Sequence, residues 1–303
     1  MKFSLALSMC DPSHYLTLAR TAEKAGWDSV CVPDGGPWTA STTEPFPASE
    51  TSDSSDNTRG ARWWGPDTPF MDPFVVIPAM AAVTQRIHFH TNVFKLPARS
   101  PVHTASAVAS IWALAPGRLA LGIGLGWNRD EFDALGIDFD TRGGRADEAI
   151  GILRRLLAGE WVEFAGKHYN LPRLKQSPSI SAPLPIYAGG DSPVAMRRAA
   201  RFCDGWIARA PEVDDVAAAI LRMQAVLERE GRSMKDFWIL AMCPDATEDS
   251  QLIRLAESGV DEVELWPWNR YGIELDDLPG KCEAVERFGH EVIEPLRARL
   301  AGS

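Results

Sequence analysis

The chain has 303 residues, enough for one large α/β domain, and its 45% hydrophobic and 24% charged residues are those of an ordinary globular protein. Lysine and arginine number 31 against 41 acidic residues; the formal charge of −10 argues against nucleic acid or an anionic membrane as partner and leaves small molecules. No apolar run approaches a membrane span, Met1 to Met9 begins as a strand, and five scattered cysteines (Cys10, Cys31, Cys203, Cys243, Cys282) fit neither a disulfide framework nor a zinc cluster, so a cytoplasmic protein is expected.

Phe3 to Met9 reads as the first strand, and Ser13 to Ala25 as a helix that Gly26 stops. Asp28 to Val32 is the second strand and leads into Pro33-Asp34-Gly35-Gly36. Residues 35–71 are too long and too rich in Ser, Thr, Asp and Gly for a plain connector. Two readings stand there: a lid offering Trp38, Trp63 and Trp64 to a ring, or a loop whose tryptophans only pack on neighbours. Asp72-Pro73 and Ser100-Pro101 start helices on either side of a third strand, Arg86 to Val93. Arg118 to Gly124 is the fourth strand and runs into Gly122-Ile123-Gly124-Leu125-Gly126-Trp127.

Arg145 to Leu157 carries an apolar helical stripe at Ile150, Leu153 and Leu157. An insertion at about 159–183 follows, with a structural hairpin around Trp161, Phe164 and Tyr169. Leu184 to Ala188 is the fifth strand, and Gly205 to Ala208, Phe237 to Met242 and Glu262 to Trp266 complete the set. Val213 to Glu230, Gln251 to Glu257 and Lys281 to Leu300 are the remaining helices. About eight βα units predict a closed (β/α)8 TIM barrel spanning 1–303 as a single domain, with a long lid after strand two and a hairpin before strand five.

Gly189-Gly190-Asp191-Ser192-Pro193 has the form of a phosphate seat: glycines that let backbone approach, a capping serine, and proline at the first helical position. An ordinary capped strand-to-helix turn has the same form. Asp191 is expected to contribute its N–H rather than its carboxylate. Gly124 and Gly126 end strand four, where the missing side chains make room or serve helix packing. Asp34 is the nominated acid, with a rival reading as a turn residue capping local backbone. Strand alternation sets His90 opposite Phe89 and Thr91, which reads as a packed histidine outside the lumen; the other histidines are given no chemistry. Trp266, Trp268 and Tyr271 follow strand eight as candidate pocket walls with Trp38 and Trp64. No metal site is expected, because no His, Cys and carboxylate set has ligand spacing on one element.

The ordered motifs Asp72-Pro73-Phe74, Ala81 to Ile87, Thr91-Asn92-Val93, Leu96-Pro97, Arg99-Ser100-Pro101, Gly117-Arg118-Leu119, Gly122 to Trp127, Glu131-Phe132, Arg142-Gly143, Ala188 to Ser192 and Asp204-Gly205-Trp206 resemble the luciferase-like monooxygenase superfamily. The resemblance runs from about Phe3 to Arg209 and is most similar to the F420-dependent oxidoreductases, with FMN as the alternative cofactor. It implies that a non-prolyl cis peptide at Asn92-Val93 backs the cofactor ring, and that Ala188, Gly189, Gly190, Asp191 and Ser192 hold its phosphate. It implies an oxidoreductase transferring hydride between F420 and a small organic substrate. The alternatives are an FMN monooxygenase served by a separate reductase and a non-catalytic cofactor binder. Arg99 and Arg270 are offered to the cofactor's acidic tail. Many relatives carry His after the acid of strand two where this chain has Gly35, so the proton source is open. Family members often form dimers, which leaves a homodimer among the expected states.

Overall fold

The computed structural model describes residues 1–36, 38, 64–209, 212–244, 246 and 248–301. Most of the predicted lid, Trp63 included, lies outside the described residues. Eight parallel strands close into a ring: β1 (Lys2–Ala6), β2 (Ser29–Val32), β3 (His88–Thr91), β4 (Leu119–Gly124), β5 (Ile186–Gly189), β6 (Gly205–Arg209), β7 (Trp238–Met242) and β8 (Glu262–Leu265). Closure is carried by β1, which pairs with both β2 and β8, and by β3 with β4. A two-residue extension, Phe94–Lys95, continues beyond β3 and pairs with the end of β4. The insertion forms the expected hairpin, Trp161–Ala165 against Asn170–Lys175.

The outer ring begins with α1 (Tyr15–Lys24), α2 (Pro73–Ala82) and α3 (Pro101–Leu114), the last two opening on the predicted Asp-Pro and Ser-Pro pairs. It continues with α4 (Arg129–Ala134), α5 (Arg142–Leu157), α6 (Pro193–Phe202), α7 (Val213–Arg229), α8 (Asp249–Glu257), α9 (Pro267–Tyr271), α10 (Leu278–Phe288) and α11 (Glu294–Ala301). The sequence pattern does not reveal α4 and α9, both shorter than two turns, which leave too little periodicity to detect. The single helix expected over Lys281 to Leu300 is divided at Gly289–Ile293, where the backbone widens into a π-helical turn against Ala25.

The apolar core lies between strands and helices, where Phe3, Leu5, Val30, Val32, Phe89, Leu121, Ile123, Ile186, Trp206, Ile239, Val263 and Leu265 are buried. Alternation then turns Ser4, Ser29, Cys31, His90, Glu262 and Glu264 inward. Bonds between strands that are not neighbours pass through the lumen, as from Ser4 Oγ to His90 Nε2, 2.7 Å, and from Ser29 Oγ to Glu262. The lumen thus mixes these polar groups with Leu240 and Ile207, and most of the hydrophobic stabilisation of the fold comes from the outer layer.

Glu23 in α1 ties the turn before β3 by accepting the backbone N–H groups of Gln85, Arg86 and Ile87. Partial burial works against its charge, but these bonds outweigh it and hold the carboxyl below its ordinary range. A lowered folded value gives a contribution that is complete above the unfolded value and is lost as pH falls through the lowered one. Glu23→Gln is expected to lower stability near neutrality and to flatten its decline in acid, read from urea midpoints across pH.

Candidate cofactor and active site

At the C-terminal mouth of the barrel the chain leaves β3 through a cis peptide at Asn92-Val93, as the resemblance implied. Two glycines make room for the Val93 side chain. A Cβ on Gly124 would overlap Val93 Cγ2, and one on Gly189 would come within 3.0 Å of Val93 Cγ1. Val93 thus sits between the ends of β4 and β5 as a half-buried apolar ledge. Asn92 is pinned from below: its Nδ2 donates to Glu264 Oε2 at 2.7 Å and lies 3.4 Å from Met242 Sδ.

The loop after β2 shapes one side of the mouth. The Asp34 side chain is fully buried, with Oδ2 accepting from Lys95 N and Oδ1 from Arg99, both at 2.9 Å. Burial pushes this carboxyl up from its ordinary range, while the Arg99 guanidinium and Lys95 draw it back only in part. Both oxygens are occupied by residues of the segment after β3, so the carboxylate ties two loops together rather than capping its own turn. Arg99 also pairs with Asp72 at 3.2 Å, so the residue offered to a cofactor tail is engaged within the chain. A Cβ at Gly35 would overlap Phe70, so the space that a histidine there would need holds Phe70, stacked edge-on against Trp64. Beside it the buried Lys95 ammonium is paired with Glu131 of α4, and a side chain at Gly36 would collide with both.

Opposite lies the predicted phosphate seat. Gly190 has φ +116°, a conformation costly for any other residue, and a Cβ there would approach Ala195 within 3.0 Å. Its carbonyl accepts Trp206 Nε1 at 2.8 Å, which fastens the turn to β6. Ser192 caps α6 through Ala195 N at 3.3 Å, and Pro193 occupies the first turn as expected. The charge of Asp191 acts on Arg209 at the end of β6, setting a cation beside the turn.

Several expectations are corrected. His90 is in the lumen, not outside it: the alternation with Phe89 and Thr91 holds, but Phe89 is the residue that faces the apolar outer layer, where Arg118 covers its ring. His88 shares the inward face of His90 by the same alternation. Trp268 is no pocket wall, because the first turn of α9 buries it beneath Lys281. Tyr271 points outward to Glu291, and Arg270 pairs with Asp249 at 2.8 Å. Trp266 donates to Ser8 Oγ at 2.8 Å beside the end of β1, Trp64 is half-buried, and Trp38 is exposed at the edge of the described loop. A cavity of about 350 Å³ opens nearby, lined by Met9, Pro66, Thr68, Pro69 and Leu275.

Sequence reasoning also missed a luminal cluster directly below the ledge. Cys31 Sγ, a ring nitrogen of His90 and a Glu264 carboxylate oxygen lie within 4.8 Å of one another, all buried. Burial pushes the Cys31 thiol well above its ordinary range and raises the Glu264 carboxyl, which His90 and Asn92 only partly offset. Ligand spacing along one element cannot reveal three residues from β2, β3 and β8; strand register is the signal that joins them.

A profile of the luciferase-like monooxygenase family matches residues 6–257, and the chain belongs to that family. It is an oxidoreductase with the family's TIM-barrel fold. An uncharacterized protein of Mycobacterium tuberculosis is 33% identical over 296 residues, covering 97% of this chain and 99% of its own length. An F420-dependent glucose-6-phosphate dehydrogenase of Gordonia bronchialis is 30% identical over 245 residues, 78% of this chain and 64% of that protein. The solved F420-dependent tetrahydromethanopterin reductase of Methanopyrus kandleri superposes with a TM-score of 0.73 at 17% identity, covering 97% and 98% of the two chains, a likeness of fold.

Gly124→Ala is expected to force Val93 off its ledge at a cost of about 1–3 kcal/mol, the usual scale for overpacking. Thermal unfolding should fall accordingly, whereas Gly151→Ala, with open space around its Cβ, should be neutral or slightly stabilising.

Proposed function

We propose that this chain is a single-domain F420-dependent oxidoreductase that exchanges hydride with a small organic substrate at the barrel mouth. The observation that carries this reading is the Val93 ledge between Gly124 and Gly189, in line with the capped N-terminus of α6. These residues fit a flat ring with a phosphate arm: side chains are absent where a ring would lie, and the N-terminal end of α6 points its dipole where an anion would sit. When bound, the deazaflavin supplies the hydride donor or acceptor. Asn92 and Val93 would support the ring, with Gly124, Gly126 and Ala188 clearing space beneath it. Gly189, Gly190, Asp191 and Ser192 would hold the phosphate through backbone N–H groups and the α6 dipole, with the Asp191 carboxylate turned to Arg209.

Phe70 and Trp64, with Trp38 and Trp266, would wall an apolar substrate, with residues 35–71 as the proposed lid over it. Asp34 would fix the mouth through Arg99 and Lys95 rather than meet substrate. With no side chain at position 35 to give a proton, a substrate that takes its proton from water, such as a polarised alkene, suits the site better than a carbonyl. The family suggests a homodimer, and the scattered cysteines suggest the cytoplasm as its setting.

Calorimetric titration of the apoprotein with F420 and separately with FMN tests the reading. F420 is expected to bind preferentially, Ser192→Glu to weaken it by tenfold or more (about 1.4 kcal/mol), and turnover to consume no oxygen. Preference for FMN with oxygen uptake would overturn the deazaflavin assignment in favour of the oxygen-using branch; binding of neither would overturn cofactor use.

A further inference from the structure

The cluster beneath the ledge has the composition and second shell of a transition-metal site. Its members come from three strands: Cys31 from β2, His90 from β3 and Glu264 from β8. A thiol, an imidazole and a carboxylate are the donor types that zinc-class divalent ions select. Their ligand atoms lie within 4.8 Å of one another. A tetrahedral ion with bonds of about 2.0–2.3 Å sets its ligands roughly 3.5 Å apart, so modest side-chain rotation brings the three donors to bonding distance.

The partners of these groups leave donor atoms available. His90 is 2% exposed, and its Nδ1 has no hydrogen-bond partner. Its Nε2 faces Ser4 Oγ at 2.7 Å and Glu262 at 3.8 Å. Ser4 holds the ring through Nε2, and Nδ1 is the nitrogen left without a partner, the arrangement in which an outer group orients a metal-binding histidine. Asn92 Nδ2 fixes one oxygen of Glu264 in the same manner.

We propose that Cys31, His90 and Glu264 bind one zinc-class divalent ion in the barrel lumen, beneath Asn92. Binding releases the Cys31 proton, and that of Glu264 where it is protonated, to solvent; no redox change is involved. Three protein donors leave one coordination position for water. Through Glu264 and Asn92 the ion sets the height and charge of the ledge.

The test is titration of chelator-stripped apoprotein with Co2+, followed by displacement with Zn2+. One equivalent per chain is expected, with tetrahedral visible bands and a thiolate-to-cobalt charge-transfer band. Cys31→Ser, close in size, should abolish the charge-transfer band, and His90→Gln should weaken affinity by about 100-fold or more, whereas Ser4→Ala should cost about tenfold. X-ray absorption of the wild-type zinc protein reads the ligand set without any substitution: one sulfur neighbour among nitrogen and oxygen is expected. Absence of stoichiometric uptake, or uptake that neither Cys31→Ser nor His90→Gln disturbs, overturns the proposal. Metal uptake is read without any cofactor, so its failure leaves the cofactor seat untouched.

Discussion

The mouth of this barrel is organised around one steric constraint, the fit of Val93 between two strand ends that carry no side chains. A methyl group at Gly124 would overlap it, and one at Gly189 would crowd it. β4 and β5 pair directly up to Ile123 and Ala188, and Val93 lies across the two strand ends just beyond that pairing. Asn92 fixes the ledge from the other side through its 2.7 Å hydrogen bond to Glu264. Ledge, strand ends and lumen therefore form one mechanical unit, and the α6 turn, tied to β6 by Trp206, holds its far edge.

The same unit explains the division of labour between the two faces of the sheet. Stability resides outside, where strand and helix side chains meet in a continuous apolar layer. Inside, polar groups on β1, β2, β3 and β8 take the place of part of the branched aliphatic layers that usually fill such barrels. Burying a carboxylate is costly unless it is bonded. Glu262 meets this requirement through Ser29 and Trp238, and Glu264 through Asn92. Polar residues in a lumen also define the electrostatics just below the site, which aliphatic packing could not do.

The strand and helix rhythm was legible in the sequence because each βα unit carries its own punctuation: Asp72-Pro73, Ser100-Pro101 and Ser192-Pro193 all open helices. The α6 turn was legible from its own glycines, capping serine and proline, and the ledge position followed from the family motifs. What escaped was the sense of each strand, not its existence. Alternation gives two faces without saying which is the lumen, and an aromatic such as Phe89 suits an inner layer as well as the helix-facing layer it occupies. The missing histidine at position 35 was visible, but not that Phe70, 35 residues later in the chain, fills its place. The Cys31, His90 and Glu264 cluster is a product of register across strands distant in sequence.

A crystal structure of the protein with F420 bound tests the central claim most directly. The ledge account requires the ring to lie against Val93, above Gly124 and Gly189, with the phosphate on the N–H groups at the start of α6. A ring seated away from Val93, or a phosphate held outside the Gly190 to Ser192 turn, would contradict it.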